Sequence, residues 1–239
     1  MKYGERTYRS MINKGNLILY NVKIAESDLL ISSDTNLSDE ALKSLARHRY
    51  SLETYIKSHP DFRISLLPLP EDDLAPPIVR DMLSKSNICG VGPMASVAGA
   101  VSEFVGNDLL NQTENLIIEN GGDIFIKSEN KLIASVYAGV SALSYNVNFI
   151  VKPEETPLGI CTSSATVGPS LSFGKADAVC VISKSATLAD AAASAIGNKV
   201  KSKNDIKSAL DFGIKIKGVA GIIIILGNEM GAIGEVQFV

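Results

Sequence analysis

"IIENGGDIFI", residues 117–126, interrupts an apolar run with two glycines and an aspartate. Ile117, Ile118, Ile124 and Ile126 are β-branched and favour strand on both sides of the interruption. Glycine inside a strand weakens it and marks a bulge or a close approach of something to the backbone. Gly121 and Gly122 are therefore read as a place where a sheet admits a ligand, with Asp123 beside it. Around this point the chain reads as a series of strands. Residues 6–32 look like β-structure, and "KSENKLIASVYAG" looks like a hairpin turning at Glu129–Asn130. Residues 145–162 hold two strands broken at "KPEETP", followed by the strand "ADAVCVIS" and two C-terminal strands either side of "GNEMGAIG".

Helices separate these strands. Leu42, Leu45, Leu52 and Ile56 recur at helical spacing, with Asp39 and Glu40 in a first turn near Ser38 and a stop before Pro60. "LLPLPEDDLAPP" (66–77) is broken by prolines and reads as a loop that joins two lobes or borders a pocket. A short helix to about Lys85 leads to a glycine turn, then a helix with Pro93 near its first position. "TLADAAASAIGNKV" is a further helix. "ICGVG" and "ICTSS" hint at two similar halves. The expectation is one continuous α+β unit over residues 1–239, with a lobe boundary near 66–77.

The composition fits a folded core, with 46% hydrophobic and 21% charged residues. A net charge of -3 gives no electrostatic case for nucleic acid or an anionic membrane. Cys89, Cys161 and Cys180 are odd in number and lack zinc-ligand spacing, which argues against a disulfide framework or a zinc site. "MKYGERTYRSM" has no signal-peptide core, and "GVAGIIIILG" is too short to span a bilayer. A cytoplasmic protein with free thiols is expected.

Four segments carry candidate chemistry. Gly90 and Gly92 precede a helix N-terminus and could offer amides to a phosphate, or simply make a turn. Thr162, Ser163, Ser164, Thr166 and Ser170 crowd "GICTSSATVGPSLSFGKAD", which suits phosphate, ribose or carboxylate binding, or a solvated loop. Asp190 and Ser194 stand four apart on one helix face, where they could share a Mg²⁺. The alternative for Asp190 is a favourable interaction with the helix dipole. Cys161 closes an apolar strand before the hydroxyls, so its thiol is placed at a pocket edge as a reactive group. Cys89 is the second thiol beside a turn, with a small core residue as the other reading of both. Cys180 is read as inert core.

The order "ENGGDIFI", "GICTSSATVG", "ATLADAAASAIG" resembles the ApbE-like superfamily, best known for FAD:protein FMN transferases. The resemblance runs from about residue 87 to 200 by motif, and "ERTYR" extends it. It looks like a short branch of that superfamily, with mixed sheets, packed helices and a T-fold-like core. The resemblance implies a flavin-type ligand such as FAD at Gly121 and Gly122, and Mg²⁺ on Asp190 and Ser194. Two departures weigh against full FMN transfer. The helix over 93–105 lacks the transferases' lysine and aspartate, and their His-x-x-Asp-Pro segment is absent. Ala165 and Pro169 also replace a glycine and a histidine of the branch's Ser-Gly-Thr-x-Gly-His loop. Three functions remain: a Mg²⁺-dependent flavin or nucleotide transferase, a ligand-binding protein without chemistry, or sulfur mobilisation toward homocysteine with a persulfide on Cys161 or Cys89. The expected partner is a small molecule, and a second copy of the chain is admissible.

Overall fold

The computed structural model describes residues 16–167 and 172–239. The "ERTYR" segment, together with Gly168, Pro169 and Ser170 of the hydroxyl-rich stretch, lies outside them.

β1 (Ile18–Ile24) and β2 (Ser27–Ser33) form a hairpin, which agrees with the expected β-structure where it is described. Then come α1 (Ser38–Ser58), the single turn α2 (Asp61–Ile64), α3 (Pro77–Cys89) and, after a 3-10 turn at Pro93–Ser96, α4 (Val97–Leu109). β3 (Leu116–Asn120) and β4 (Asp123–Lys127) are followed by β5 (Leu132–Ser135), β6 (Asn148–Val151), β7 (Leu158–Ser163) and β8 (Ala178–Ser183). α5 (Ala186–Gly197), α6 (Ile206–Gly213), β9 (Val219–Leu226) and β10 (Glu229–Gly234) complete the chain. α6 was not expected from the sequence.

Eight strands form one sheet in the order β1-β2-β3-β4-β7-β8-β9-β10, and every neighbouring pair is antiparallel. Three excursions leave this ladder: α1–α4 between β2 and β3, β5–β6 between β4 and β7, and α5–α6 between β8 and β9. The α+β expectation holds. The hairpin expected at Glu129–Asn130 does not form, because β5 turns away from β4 and pairs with β6 in a second sheet. "ICGVG" ends a helix while "ICTSS" lies in a strand, so the hinted halves are not alike.

Strand periodicity assigns the faces. On β7–β9, Cys161, Val179, Val181, Ile222 and Ile224 pack against α5 and α6. The alternate residues Ile160, Cys180, Ile182, Ile223 and Ile225 pack against Phe149 and Val151 of the small sheet. A second helix-side cluster joins Leu29, Ile31, Ile118 and Phe125 to Leu45, Met82 and Val105. Within α1 the core contact is Ala41 with Leu45 and Leu52, whereas Leu42 is turned outward. α5 rests on β7 with almost no gap, since a Cβ at Gly159 would lie 2.3 Å from the Ala186 Cα. α4 and α5, one from each helical excursion, meet over β4 and β7.

Candidate functional site

Gly121 and Gly122 form the two-residue turn of the β3–β4 hairpin. Both have positive φ, 71° and 108°, and they sit between the paired residues Asn120 and Asp123. Positive φ at both central positions is the type I′ requirement, and glycine meets it without strain. The backbone conformation therefore accounts for the two glycines by itself. Space remains open at Gly122, where an added Cβ would meet only the Thr162 carbonyl, at 3.8 Å.

The turn delivers Asp123 to the helix-facing side of the sheet, in register with Cys161 of β7. Asp123 is buried, with the Thr162 backbone and the Cys161 thiol as its hydrogen-bonding neighbours. Above it the partly buried Asp190 of α5 accepts a 2.9 Å hydrogen bond from the Gly99 N–H in the first turn of α4. That amide is one of the donors a helix start leaves without an internal partner. Asn120 ties the same turn of α4 to the hairpin by donating to the Ala98 carbonyl at 3.1 Å. Glu119 accepts from the Gly122 N–H at 3.0 Å.

Two carboxylates thus face each other where α4, α5, β4 and β7 meet. Burial, then Asp190, then Glu119 raise Asp123 well above the ordinary carboxylate range. Burial raises Asp190 to about 7, against hydrogen bonds from Gly99 and Ala98 that pull it down. Among the described residues, neither carboxylate is ion-paired to a lysine or arginine.

The other expected site residues are placed as follows. Gly90 does not open a helix. It closes α3 in the left-handed conformation (φ 71°), and its N–H bonds to the Asn87 carbonyl. The Gly92 N–H is likewise taken, by Leu66 O at 3.0 Å, and its Cα lies against the Ser65 backbone. Neither amide is left to hold a phosphate, so both glycines serve turn and packing. Thr162 belongs to β7 and turns its hydroxyl to the far face, toward Cys180. Ser163 faces the helices near Gly197, and Ser164 Oγ accepts from Thr166 N and Val167 N, which closes a turn. Ser194 lies one turn beyond Asp190 on α5 and is partly exposed.

Cys161 corrects the sequence reading most. β7 runs through to Ser163, so the residue is inside a strand, fully buried, with its thiol directed at the Ala186 carbonyl 3.3 Å away. Burial and the nearby Asp123 and Asp190 charges push that thiol well above its ordinary range. Burial and Asp190 push Cys89 to about 12, and burial pushes Cys180 to about 11. None is poised as a thiolate. Alkylation of the native protein should therefore label Cys161 no faster than Cys180. Labelling of Cys161 within the time that an exposed thiol needs would contradict its burial.

Ala98, Gly99, Glu103, Glu119 and Asn120 shape this region and were missed in the sequence. Asn120 directly before the turn was the available signal. Two surface depressions lie away from this region, one lined by Glu71, Asp73 and Arg80 and one by Lys203, Lys207 and Met230. Among the described residues, no single helix is long and apolar enough to cross a membrane.

A family model described as AbpE bacteria matches residues 9–233. A UPF0280 protein of Methanocaldococcus jannaschii is 40% identical and covers 89% of each chain. Another, from Methanosarcina acetivorans, is 37% identical over 90% of this chain and 85% of its own. Among solved structures, the flavinyl transferase ApbE of Pseudomonas stutzeri in its apo form superposes with a TM-score of 0.57 at 14% identity, covering 91% of this chain and 94% of that one. The flavin transferase ApbE of Vibrio cholerae gives 0.58 at 12% identity, with 92% and 97% covered. At such identities these two structures show the fold. With a family model matched over residues 9–233 and relatives 37–40% identical over most of its length, the chain belongs to the UPF0280 family, an ApbE-like family.

Proposed function

We propose that this protein binds a flavin-type dinucleotide together with Mg²⁺ at the junction of the β3–β4 turn, the end of β7 and α5, and transfers FMN weakly or not at all. The observation that carries the reading is the Asp123–Asp190 pair without a cationic partner among the described residues. Two like charges drawn below the surface are relieved by a proton or a cation. Asp190 and Ser194 suit Mg²⁺, which takes one or two protein oxygens and completes its shell with water and phosphate. When bound, the metal would neutralise charge on a pyrophosphate. The chain's own part is to hold Asp190 against the Gly99 amide and to leave open the space beside Gly122.

Transfer needs more than binding, because positioning supplies most of the rate in phosphoryl transfer. The helix over 93–105 reads "PMASVAGAVSEFV", without the lysine and aspartate of the transferases. The sulfur-carrying alternative gains nothing from the buried, protonated Cys161. Titrating FAD by fluorescence with Mg²⁺ or with chelator tests the reading. Saturable, Mg²⁺-enhanced binding that Asp190→Asn weakens at least about tenfold is expected, since losing even a hydrogen-bond partner of a metal ligand costs about 10–100-fold. Absence of binding in both conditions would refute it. Robust covalent flavinylation of an acceptor peptide would refute the weak-transfer part.

A further inference from the structure

α4 and α5 are clasped at two points. At one, Gly99 N donates to Asp190. At the other, a single oxygen of Glu103 accepts from Ser185 Oγ at 2.9 Å, Thr187 N at 2.8 Å and Thr187 Oγ1 at 2.9 Å. Gly99 and Glu103 are four apart and share a face of α4, and Thr187 and Asp190 are three apart and share a face of α5. The partners run in opposite order along the two helices, so both clasps belong to one antiparallel register.

The intervening contact is too close to set that register by bulk. A Cβ at Gly99 would lie 2.3 Å from Ala186 O and 2.8 Å from the Asp190 Cβ. Smooth, small-residue surfaces permit sliding, and α5 is alanine-rich along its length. Glu103 instead fixes α5 by its N-terminus, where one backbone amide and two hydroxyls converge on a carboxylate.

We infer that Glu103 is the positioning residue of this site: it sets the axial register of α5 on α4 and so holds Asp190 at the Gly99 amide. The inference rests on the proposed role of Asp190 for its functional meaning, but the geometry can be tested without any ligand. The helix over 93–105 thus does carry a carboxylate, directed at the neighbouring helix and not at a substrate.

Amide hydrogen exchange by NMR on the full-length protein separates register from general stability. In Glu103→Ala, the Gly99 amide should lose protection by about tenfold or more, the equivalent of one hydrogen bond to a charged group. Ile223 in β9, buried and paired on both sides, serves as reference and should change far less. Glu103→Gln keeps an acceptor oxygen and should restore much of the Gly99 protection. Equal loss at Gly99 and Ile223 would reduce Glu103 to a merely stabilising residue and overturn the inference, as would unchanged Gly99 protection. If Glu103→Ala does not fold, Thr187→Val, which removes one of the three donors, gives the same comparison with a smaller expected loss. FAD titration with Mg²⁺ is the second arm. Wild-type protein that binds no FAD sinks the proposed ligand and leaves the Gly99 result to judge Glu103. Where wild type binds, weakening by Glu103→Ala with recovery in Glu103→Gln is expected, and unaltered affinity in Glu103→Ala counts against the inference.

Discussion

Asp190→Asn should raise the thermal unfolding midpoint at pH 8 in chelator, by about 4–8 °C. Asp190 keeps its proton up to about 7 in the folded chain, against 3.8 for an unperturbed carboxyl. The fold thus favours the neutral form, and stability is lost as pH rises from about 4 through 7. The difference corresponds to at most about 4 kcal/mol. Partial exposure of Asp190 reduces this to about 2 kcal/mol, and a chain of this size gains about 2–4 °C for each. Asparagine retains an oxygen for the Gly99 N–H and carries no charge at any pH. Its advantage should therefore shrink below pH 7 and vanish at about pH 3, where Asp190 is protonated in the folded and the unfolded chain alike. Scanning calorimetry at both pH values checks this, and a variant less stable than wild type at pH 8 would show that the carboxylate is not a burden. On the proposed function, adding Mg²⁺ with FAD should reverse the ranking, because only the wild type keeps the carboxylate assigned there to the metal.

Gly159→Ala is the second large effect, and its sign is opposite. The new Cβ would meet the Ala186 Cα at 2.3 Å, its N at 2.6 Å and its Cβ at 2.7 Å. Two of these are backbone atoms, so no rotamer change relieves the clash and α5 must lift from β7. Overpacking of a tight interior costs about 1–3 kcal/mol, and this contact belongs at or above the upper end. Because the same displacement carries Asp190 away from Asp123, the proposed FAD binding should weaken together with the stability. Urea denaturation gives the first and the fluorescence titration the second. A variant of wild-type stability would mean that α5 does not sit this close to the sheet.

Much of this architecture was legible in the residues. α1, β8 and α5 stand where leucine periodicity with an acidic first turn, an apolar run and an alanine-rich run put them, because each is a local pattern. The two strands expected around Gly121 and Gly122 are β3 and β4, but the glycines were read for ligand approach although Gly-Gly between two apolar runs is itself a hairpin signal. β5 was assigned to the wrong partner because strand alternation tells which face is buried and not which sheet the strand joins. The site was legible as segments and not as contacts. Asp123 and Asp190 could be picked out by motif, but the Gly99 amide and the Glu103 clasp depend on how two helices from distant excursions cross. Cys161 failed because the strand ran two residues further than the hydroxyls suggested, and that carried the thiol indoors.

In the eight-stranded sheet, each excursion returns the chain to the strand beside the one it left. Closing a longer excursion costs little, about 0.6 kcal/mol for each doubling of a flexible loop. No parallel crossover imposes a handedness on the return. Insertions and deletions in these three segments can therefore accumulate while Asp123 stays opposite Cys161, and a ladder like this can outlast most of its sequence. Solved structures of 12–14% identity that still superpose over nine-tenths of the chain are what such tolerance produces.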